Sequence, residues 1–146
     1  MNKLLATLLL LAATPSLMAA EHVVEMKNSG ADGVMVFEPA VLKAEVGDTV
    51  RFVSTDAGHN SESVSALIPA GAEGWKGAIN EEVSVTLTEE GVYVYQCLPH
   101  VALTMVGVIV AGEPANLADI KANSTELSSK FMVSQDRLGK YLEQVK

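Results

Sequence analysis

Residues 91–105 read Gly-Val-Tyr-Val-Tyr-Gln-Cys-Leu-Pro-His-Val-Ala-Leu-Thr-Met, and this stretch contains the only cysteine of the chain. From Val92 to Cys97, valine and glutamine alternate with tyrosine and cysteine, which is the period-2 pattern of a half-buried β-strand. Pro99 stops the ladder of backbone hydrogen bonds because it has no N–H group to donate. The next apolar run, residues 106–111, is predicted to be the partner strand. Cys97, His100 and Met105 therefore share one strand-to-strand loop.

A thiolate, an imidazole and a thioether on one short loop are soft to borderline ligands that suit copper. The expected geometry has two histidines and one cysteine in a trigonal plane, with methionine as a long, weak axial ligand. The second histidine must come from elsewhere, and the other histidines of the chain are His22 and His59. His22 is remote in sequence from the loop, and we assign it no role in the site. His59 follows a strand-like run at residues 49–54, in the turn-like segment Asp56-Ala-Gly-His-Asn60. The predicted ligand set is His59, Cys97, His100 and Met105.

These residues resemble the cupredoxins, or blue-copper proteins. Gly58-His-Asn60, followed by Cys97-Leu-Pro-His100 and Met105, has the Cys-x2-His-x4-Met spacing of that family. The resemblance is closer to the pseudoazurins, because the chain also contains Val34-Met-Val-Phe-Glu-Pro39, Gly47-Asp-Thr-Val50, Ile68-Pro-Ala-Gly-Ala72 and a helix-like C-terminal tail. It covers essentially all of the chain after residue 20. It implies a Greek-key β-sandwich with two C-terminal α-helices, one type 1 copper ion per chain, and an electron carrier that is not an enzyme.

The resemblance also implies roles for the residues around the copper. Asn60 is expected to connect the two ligand loops and to form hydrogen bonds near the cysteine sulfur, which tunes the potential and holds the geometry. His100 is expected to present a ring edge at the surface as the electron port. Met35 and Pro99 are expected near this exposed ligand, where they form an apolar docking patch together with Pro39 and Leu103.

The partners implied by the resemblance are redox proteins. Pseudoazurins typically surround the copper port with lysines that meet an acidic face of a periplasmic reductase, such as copper nitrite reductase or nitrous oxide reductase. Here the corresponding segments, residues 28–30, 56–59 and 95–97, contain no lysine, and Lys27 and Lys76 are the remaining candidates. We therefore expect weak long-range attraction to an acidic reductase, and steering toward a basic partner such as a c-type cytochrome.

Residues 1–20 are predicted to be a secretory signal peptide. Lys3 precedes a nearly apolar run from Leu4 to Ala13, which is too short for a membrane span, and small residues end the segment. We expect cleavage near Ala20, a periplasmic monomer, and no membrane attachment of the mature chain. Removal of the leader takes away Lys3 and no acid, which leaves nine basic and eighteen acidic residues and a formal charge of −9. This charge argues against nucleic acid and against anionic membranes as partners.

The remainder of the chain predicts an all-β fold with a helical tail. Short β-like runs lie near residues 22–27, 34–37, 41–44, 49–53, 83–87, 92–96 and 106–110. Such strands, with turn signals and no long helix between them, indicate a β-sandwich. Residues 61–80 have weak periodicity and are expected to be irregular and to cover one edge, with Trp75 as a partly exposed anchor.

The tail is predicted to contain two helices. Pro114 leads a short helix that runs through Ile120, and Asn123 with Glu126 resembles a capping box that begins a second helix. An apolar stripe at helical spacing follows, made of Leu127, Phe131, Leu138, Leu142 and Val145. The stripe must pack on the sandwich, so residues 21–146 are predicted to be one domain.

Other interpretations of the cysteine are weaker. A buried cysteine can be a small apolar residue only, but this leaves His100 and Met105 unexplained. A cysteine nucleophile with a histidine base, as in a cysteine-dependent hydrolase, leaves Met105 unexplained and lacks an orienting acid. A zinc site would need more thiolates or a harder fourth ligand. A copper-delivery protein would more commonly use open sites rich in methionine or histidine.

Overall fold

The computed structural model describes residues 18–146, so all but the last three residues of the predicted leader lie outside the described residues. Eight β-strands lie between residue 18 and residue 111. They are β1 (Glu21–Gly30), β2 (Gly33–Glu38), β3 (Val41–Ala44), β4 (Thr49–Val53), β5 (Glu62–Ser63), β6 (Val83–Thr86), β7 (Gly91–Gln96) and β8 (Val106–Ala111). Seven of them lie within a few residues of the predicted strands, and the short β5 was not predicted.

The strands form two four-stranded sheets, with the orders β2-β1-β4-β6 and β3-β8-β7-β5. Each sheet contains one parallel pair, β1 with β4 and β3 with β8, and its other pairs are antiparallel. The predicted all-β sandwich is therefore confirmed. The pairing of β7 with β8 places the ends of the loop at residues 97–105 side by side.

Strand β7 is buried on both faces, which differs from the half-buried strand that its alternation predicted. Tyr93, Tyr95 and Cys97 face an apolar cluster between the two sheets. Val92 and Val94 face a second cluster, which contains the apolar residues of the tail. The prediction was wrong because the outer face of the strand is covered by the tail and not by water.

The tail contains three short helices instead of two, α1 (Leu117–Asn123), α2 (Thr125–Ser128) and α3 (Arg137–Glu143). Asn123 is the last residue of α1 and not a helix cap, and Ser124 precedes α2 without a side-chain capping bond. The predicted second helix is interrupted because Met132 N–H and Val133 N–H donate to the Ala102 carbonyl, which draws this segment onto the ligand loop. The predicted stripe is nevertheless buried against the sandwich.

The segment between β5 and β6 covers one edge of the sandwich, as its weak periodicity predicted. Trp75 stacks on Phe52, with ring centroids 5.6 Å apart. Its indole Nε1 donates to Ser61 Oγ at 2.9 Å. Trp75 is thus a partly exposed anchor for this segment. No helix in residues 18–146 has the length and apolar character needed to cross a bilayer.

Candidate metal centre

The loop between β7 and β8 is closed on itself by its own backbone. Cys97 N–H donates to the Met105 carbonyl at 2.9 Å, and Met105 N–H donates to the His100 carbonyl at 3.2 Å. His100 N–H in turn donates to the Cys97 carbonyl at 3.1 Å. Residues 98–103 form 3₁₀ turns with a kink at His100, and Thr104 then adopts a left-handed conformation with φ 57°. These bonds fix the relative positions of the three residues that the sequence placed on this loop.

Three donor atoms converge between this loop and the segment after β4. The Nδ1 atoms of His59 and His100 are 3.1 Å apart. Cys97 Sγ lies 3.4 Å from His100 Nδ1 and 3.7 Å from His59 Nδ1. This is the one group of histidine, cysteine and acidic side chains within residues 18–146 that is arranged to hold a metal ion. Two imidazole nitrogens and one sulfur are the equatorial set that type 1 copper requires.

The candidate ligands differ in their exposure. His59, Cys97 and Met105 are fully buried, whereas the His100 side chain is partly exposed. Met105 belongs to the same apolar cluster as Cys97, Tyr95 and Phe37. His22 lies elsewhere, where its Nε2 is 2.8 Å from Asp48 Oδ2. The group thus has one partly exposed edge, at His100.

The orientation of the His59 ring is set by Asn28, a residue that the sequence analysis did not identify. Asn28 Oδ1 lies 2.9 Å from His59 Nε2, so Nε2 carries the hydrogen and Nδ1 is free to bind a metal. Asn28 N–H donates to the Asp56 carboxylate, which connects β1 to the segment that carries His59. No local pattern reveals this contact, because Asn28 and His59 come together only when β1 pairs with β4.

Asn60 connects the two ligand segments, through a polar cluster that is buried beside the thiol. Its Oδ1 accepts a hydrogen bond from the N–H of Leu98, the residue after Cys97, at 2.8 Å. Its Nδ2 donates to Glu62 Oε2 at 3.2 Å and to the Gly77 carbonyl at 3.1 Å. Gln96 Nε2 donates to the other oxygen of Glu62. The two acceptors that surround Nδ2 force Oδ1 to face Leu98, so Glu62 orients Asn60. No local pattern in the sequence indicates this function of Glu62.

Burial shifts the protonation equilibria of the site. Burial raises the pKa of the Cys97 thiol, despite the opposing effect of backbone N–H groups nearby. The pKa of His59 is lowered, mainly by burial and then by the neighbouring His100. An enclosed thiol with a raised pKa is a poor nucleophile, which argues against a cysteine-dependent hydrolase. A neutral imidazole is the form that binds a metal.

The other residues predicted near the port differ in their exposure. Met35 is half-buried and packs against the cluster that contains Cys97 and Met105, and Pro99 and Pro39 are exposed. Leu103 is half-buried. Of the two lysine candidates, Lys27 forms an ion pair with Glu38, and Lys76 is exposed.

Comparison with known proteins agrees with this geometry. Residues 24–112 match the profile of the copper binding proteins of the plastocyanin/azurin family. The chain is 49% identical over 119 residues to a putative pseudoazurin of Rhizobium leguminosarum bv. viciae, which covers 81% of this chain and 78% of the relative. It is 46% identical over 113 residues to the pseudoazurin of Paracoccus pantotrophus, with 77% of each protein covered.

A solved pseudoazurin structure from Sinorhizobium superposes with a TM-score of 0.78 at 50% identity, over 86% of this chain and 95% of that chain. This match confirms the predicted cupredoxin-like sandwich with helices packed on it. The donor set, two imidazoles and a thiol with a methionine in the same loop, fits one type 1 copper ion. The chain therefore belongs to the plastocyanin/azurin family of copper-binding proteins, within it to the pseudoazurins, and is a blue-copper electron carrier and not an enzyme.

Proposed function

We propose that His59, Cys97, His100 and Met105 bind the copper ion, and that the protein carries electrons one at a time between two redox proteins. The observation that carries this assignment is the convergence of His59 Nδ1, Cys97 Sγ and His100 Nδ1, all within 4.8 Å of one another. Met105 ends the same loop and is fully buried, which suits a thioether that acts as a weak axial ligand.

The contribution of the protein is a rigid frame. When bound, copper supplies a Cu(I)/Cu(II) couple whose two states prefer different geometries, so a frame acceptable to both limits rearrangement. Asn28 fixes the His59 ring, and Asn60 fixes the loop at Leu98. The thiol is enclosed, so an electron reaches a partner through the partly exposed ring of His100. Met35 and Pro99 flank this port in the proposal.

The ligand assignment is tested by titrating the copper-free protein with Cu(II). We expect one copper per chain and a strong blue thiolate-to-copper absorption. Cys97→Ser should abolish the blue colour, because a hydroxyl oxygen cannot replace the soft thiolate. His22→Gln is the matched control, since His22 contacts Asp48 and none of the proposed ligands. Two coppers per chain, or a blue Cys97→Ser protein, would contradict the assignment.

Two further measurements separate the alternative functions, the rate of copper release to a chelator and the rate of reaction with iodoacetamide. A copper-delivery protein would give up its metal quickly to a chelator, whereas an enclosed ligand set should release copper slowly. A colourless protein that reacts rapidly with iodoacetamide would instead indicate a reactive thiol. Burial of Cys97 and its raised pKa favour the carrier over the reactive thiol.

The proposal extends to where the carrier works. Residues 1–20 are a signal peptide removed near Ala20, and residues 21–146 are a single domain that works as a monomer in the periplasm. The composition of the leader and the periplasmic partners of related carriers support this. Sequencing the N-terminus of the protein recovered from the periplasmic fraction is the direct test, and an intact leader on that protein would refute it.

The proposed partners dock at an apolar patch around His100, formed by Met35, Pro39, Pro99 and Leu103. The proposed electron acceptor is a respiratory reductase such as copper nitrite reductase or nitrous oxide reductase. The negative charge of the chain favours a basic partner, such as a c-type cytochrome, over an acidic one. The ion pair of Lys27 with Glu38 supports this preference for a basic partner, since it neutralises one of the two lysine candidates that an acidic partner could contact.

A further inference from the structure

Arg137, in the first turn of α3, is buried, with 7% of its surface exposed. Among the described residues no carboxylate forms an ion pair with it. Its guanidinium donates instead to four backbone carbonyls. Nη1 donates to the carbonyls of Val34 at 3.2 Å, Met35 at 3.0 Å and Thr104 at 3.0 Å, and Nη2 donates to that of Asp32 at 3.1 Å. A buried charge without a counter-ion costs free energy of folding, so we asked which residues the guanidinium holds in place.

Thr104, which immediately precedes Met105, is one of the residues it holds. Thr104 is fully buried and has a positive φ of 57°, a conformation that β-branched residues rarely adopt. All three of its polar groups are engaged. Its N–H donates to the Val101 carbonyl, its hydroxyl donates to the Val133 carbonyl at 2.6 Å, and its carbonyl accepts from Arg137. Two of these three bonds come from the C-terminal tail.

Met35 is held in a similar way. It also has a positive φ, 50°, and its carbonyl is bound by the same guanidinium nitrogen as that of Thr104. Its side chain packs against the cluster that contains Cys97 and Met105. Arg137 therefore fixes the backbone at two unfavourable conformations, one directly before the proposed axial ligand and one at a residue that packs against the cluster containing that ligand. Tyr141, also on α3, supports the turn between β1 and β2 through a hydrogen bond from its hydroxyl to Asp32 Oδ2 at 3.1 Å.

We propose that Arg137 is a positioning residue for the copper centre, and that it sets the placement of Met105 by clamping the carbonyls of Thr104 and Met35. The proposal rests on the proposed function, because it takes Met105 to be the axial ligand. It assigns to the C-terminal tail a task beyond covering the sandwich. The guanidinium reaches these four carbonyls from two nitrogens, whereas lysine has one nitrogen with three N–H donors, so lysine cannot bind all four at once.

The test compares Arg137→Lys, Arg137→Met and Leu142→Ala. Lysine keeps the charge but loses the fork, and methionine loses both at similar volume. Leu142 is a buried residue of the same helix, and it lies in the apolar cluster between the tail and the sandwich, so Leu142→Ala weakens the tail without touching the clamp. The readouts are the Cu(II) electron paramagnetic resonance spectrum, which depends on the axial bond, and the copper affinity by chelator competition. Unfolding by urea gives the stability of each variant.

We expect both Arg137 variants to have an altered spectrum, whereas their copper affinity should fall by about 10-fold at most, the low end of the range seen when residues that orient metal ligands are changed, because the thioether is the weakest of the proposed ligands. Leu142→Ala should lose stability and keep the spectrum and affinity of the wild type. Wild-type spectra and affinities in Arg137→Lys and Arg137→Met would make Arg137 a structural anchor only. If Arg137→Met does not fold, Arg137→Lys decides alone. A wild-type protein without blue copper would refute the proposed function instead.

Discussion

At the scale of single residues, the donor atoms of the site are controlled by neighbours that do not touch the metal. Asn28 fixes which nitrogen of His59 faces the centre, and Glu62 fixes which atom of Asn60 faces the Leu98 amide. Met105 has no such side-chain partner, and its position depends on the backbone of the loop. Its thioether is the weakest ligand of the proposed set, so its chemical identity should affect the potential more than the affinity.

Replacing Met105 by glutamine should leave copper bound but lower the reduction potential. The amide oxygen is a harder ligand than the thioether and favours Cu(II) over Cu(I). The potential is measured by voltammetry. Met26→Leu is the control, since Met26 is another buried methionine of the same apolar cluster but lies on β1. An unchanged or higher potential for Met105→Gln would mean that Met105 only fills the core.

Asp48 shows how a single carboxylate stabilises the sandwich far from the metal. It accepts hydrogen bonds from the backbone N–H of Ala20 and of Glu45, and its Oδ2 also contacts His22 Nε2. These contacts lower the pKa of Asp48 from 3.8 to about 2. The unfolded chain therefore binds a proton more readily than the folded one between these two values, and stability must fall as the pH falls through this range.

Asp48→Asn should be less stable than the wild type above pH 3.8, and the difference should shrink as the pH approaches 2. The measurement is urea unfolding of the copper-free full-length chain, which retains the Ala20 N–H group, between pH 2 and 7. Absence of copper removes the loss of the metal at low pH, and protonation of His59 affects both proteins alike. A difference that stays constant over the whole range would show that the Asp48 charge contributes nothing.

At the scale of secondary-structure elements, the pairing of β7 with β8 depends on a glycine. Gly107 lies opposite Tyr95 in the antiparallel register, and a Cβ atom on Gly107 would lie 2.3 Å from the Tyr95 ring. Tyr95 is fully buried and packs edge-on against Phe37 and Phe52. The ring occupies the space that a side chain at position 107 would fill.

Gly107→Ala should lower the free energy of unfolding by about 1–3 kcal/mol, the usual cost of overpacking a core. Gly139→Ala is a matched control. Gly139 lies in α3, and a Cβ there meets nothing within 4 Å, so this change should raise stability by about 0.5–1 kcal/mol. Combining Gly107→Ala with Tyr95→Val should cost less than the sum of the two single changes, because the smaller side chain leaves room for the methyl group. Additive effects would contradict the proposed contact.

Comparison of the predicted and observed elements shows which features of the fold local sequence patterns can predict. Alternation and turn residues predicted seven of the eight strands, because these signals lie within a few neighbouring residues. Cys97 and His100 were predicted from their spacing on one loop, and His59 was chosen from the two remaining histidines by its position after a strand-like run. The structure brings the three together. Asn28, Glu62 and Arg137 were missed, since their partners lie on other elements. The break between α2 and α3 was missed for the same reason, because it depends on bonds from Met132 and Val133 to Ala102.

At the scale of the whole molecule, three of the nine lysine and arginine side chains in residues 18–146 form ion pairs with carboxylates. Arg51 bonds both Glu21 and Glu82, Lys27 pairs with Glu38, and Lys140 pairs with Asp136. The chain as a whole carries a formal charge of −8, so its long-range field is negative. This field should repel an acidic partner at a distance and attract a basic one.

Electron transfer with a basic c-type cytochrome should slow as salt rises, and with an acidic reductase it should stay constant or accelerate. Stopped-flow rates across a salt series measure both. Ala57→Lys adds a charge on an exposed residue two positions before His59 and should increase the low-salt rate with the acidic partner, whereas Ala57→Gln should not. A steep loss of rate with salt for the wild type and the acidic reductase would mean that a local lysine cluster outweighs the net charge.

Three of the four bonds of Arg137 join it to residues 102 to 105 positions earlier in the chain. A ribosome makes the β1–β2 turn long before Arg137, so a growing chain that has not reached Arg137 contains only one end of this clamp. Contacts of such large sequence separation form slowly and late during folding. If Arg137 sets this backbone as proposed, the segments around Thr104 and Met35 reach their final conformation only after Arg137 has been made. A chain that ends before Arg137 would lack the clamp even if all four proposed ligands were present, so the final conformation of the ligand loop requires this part of the tail.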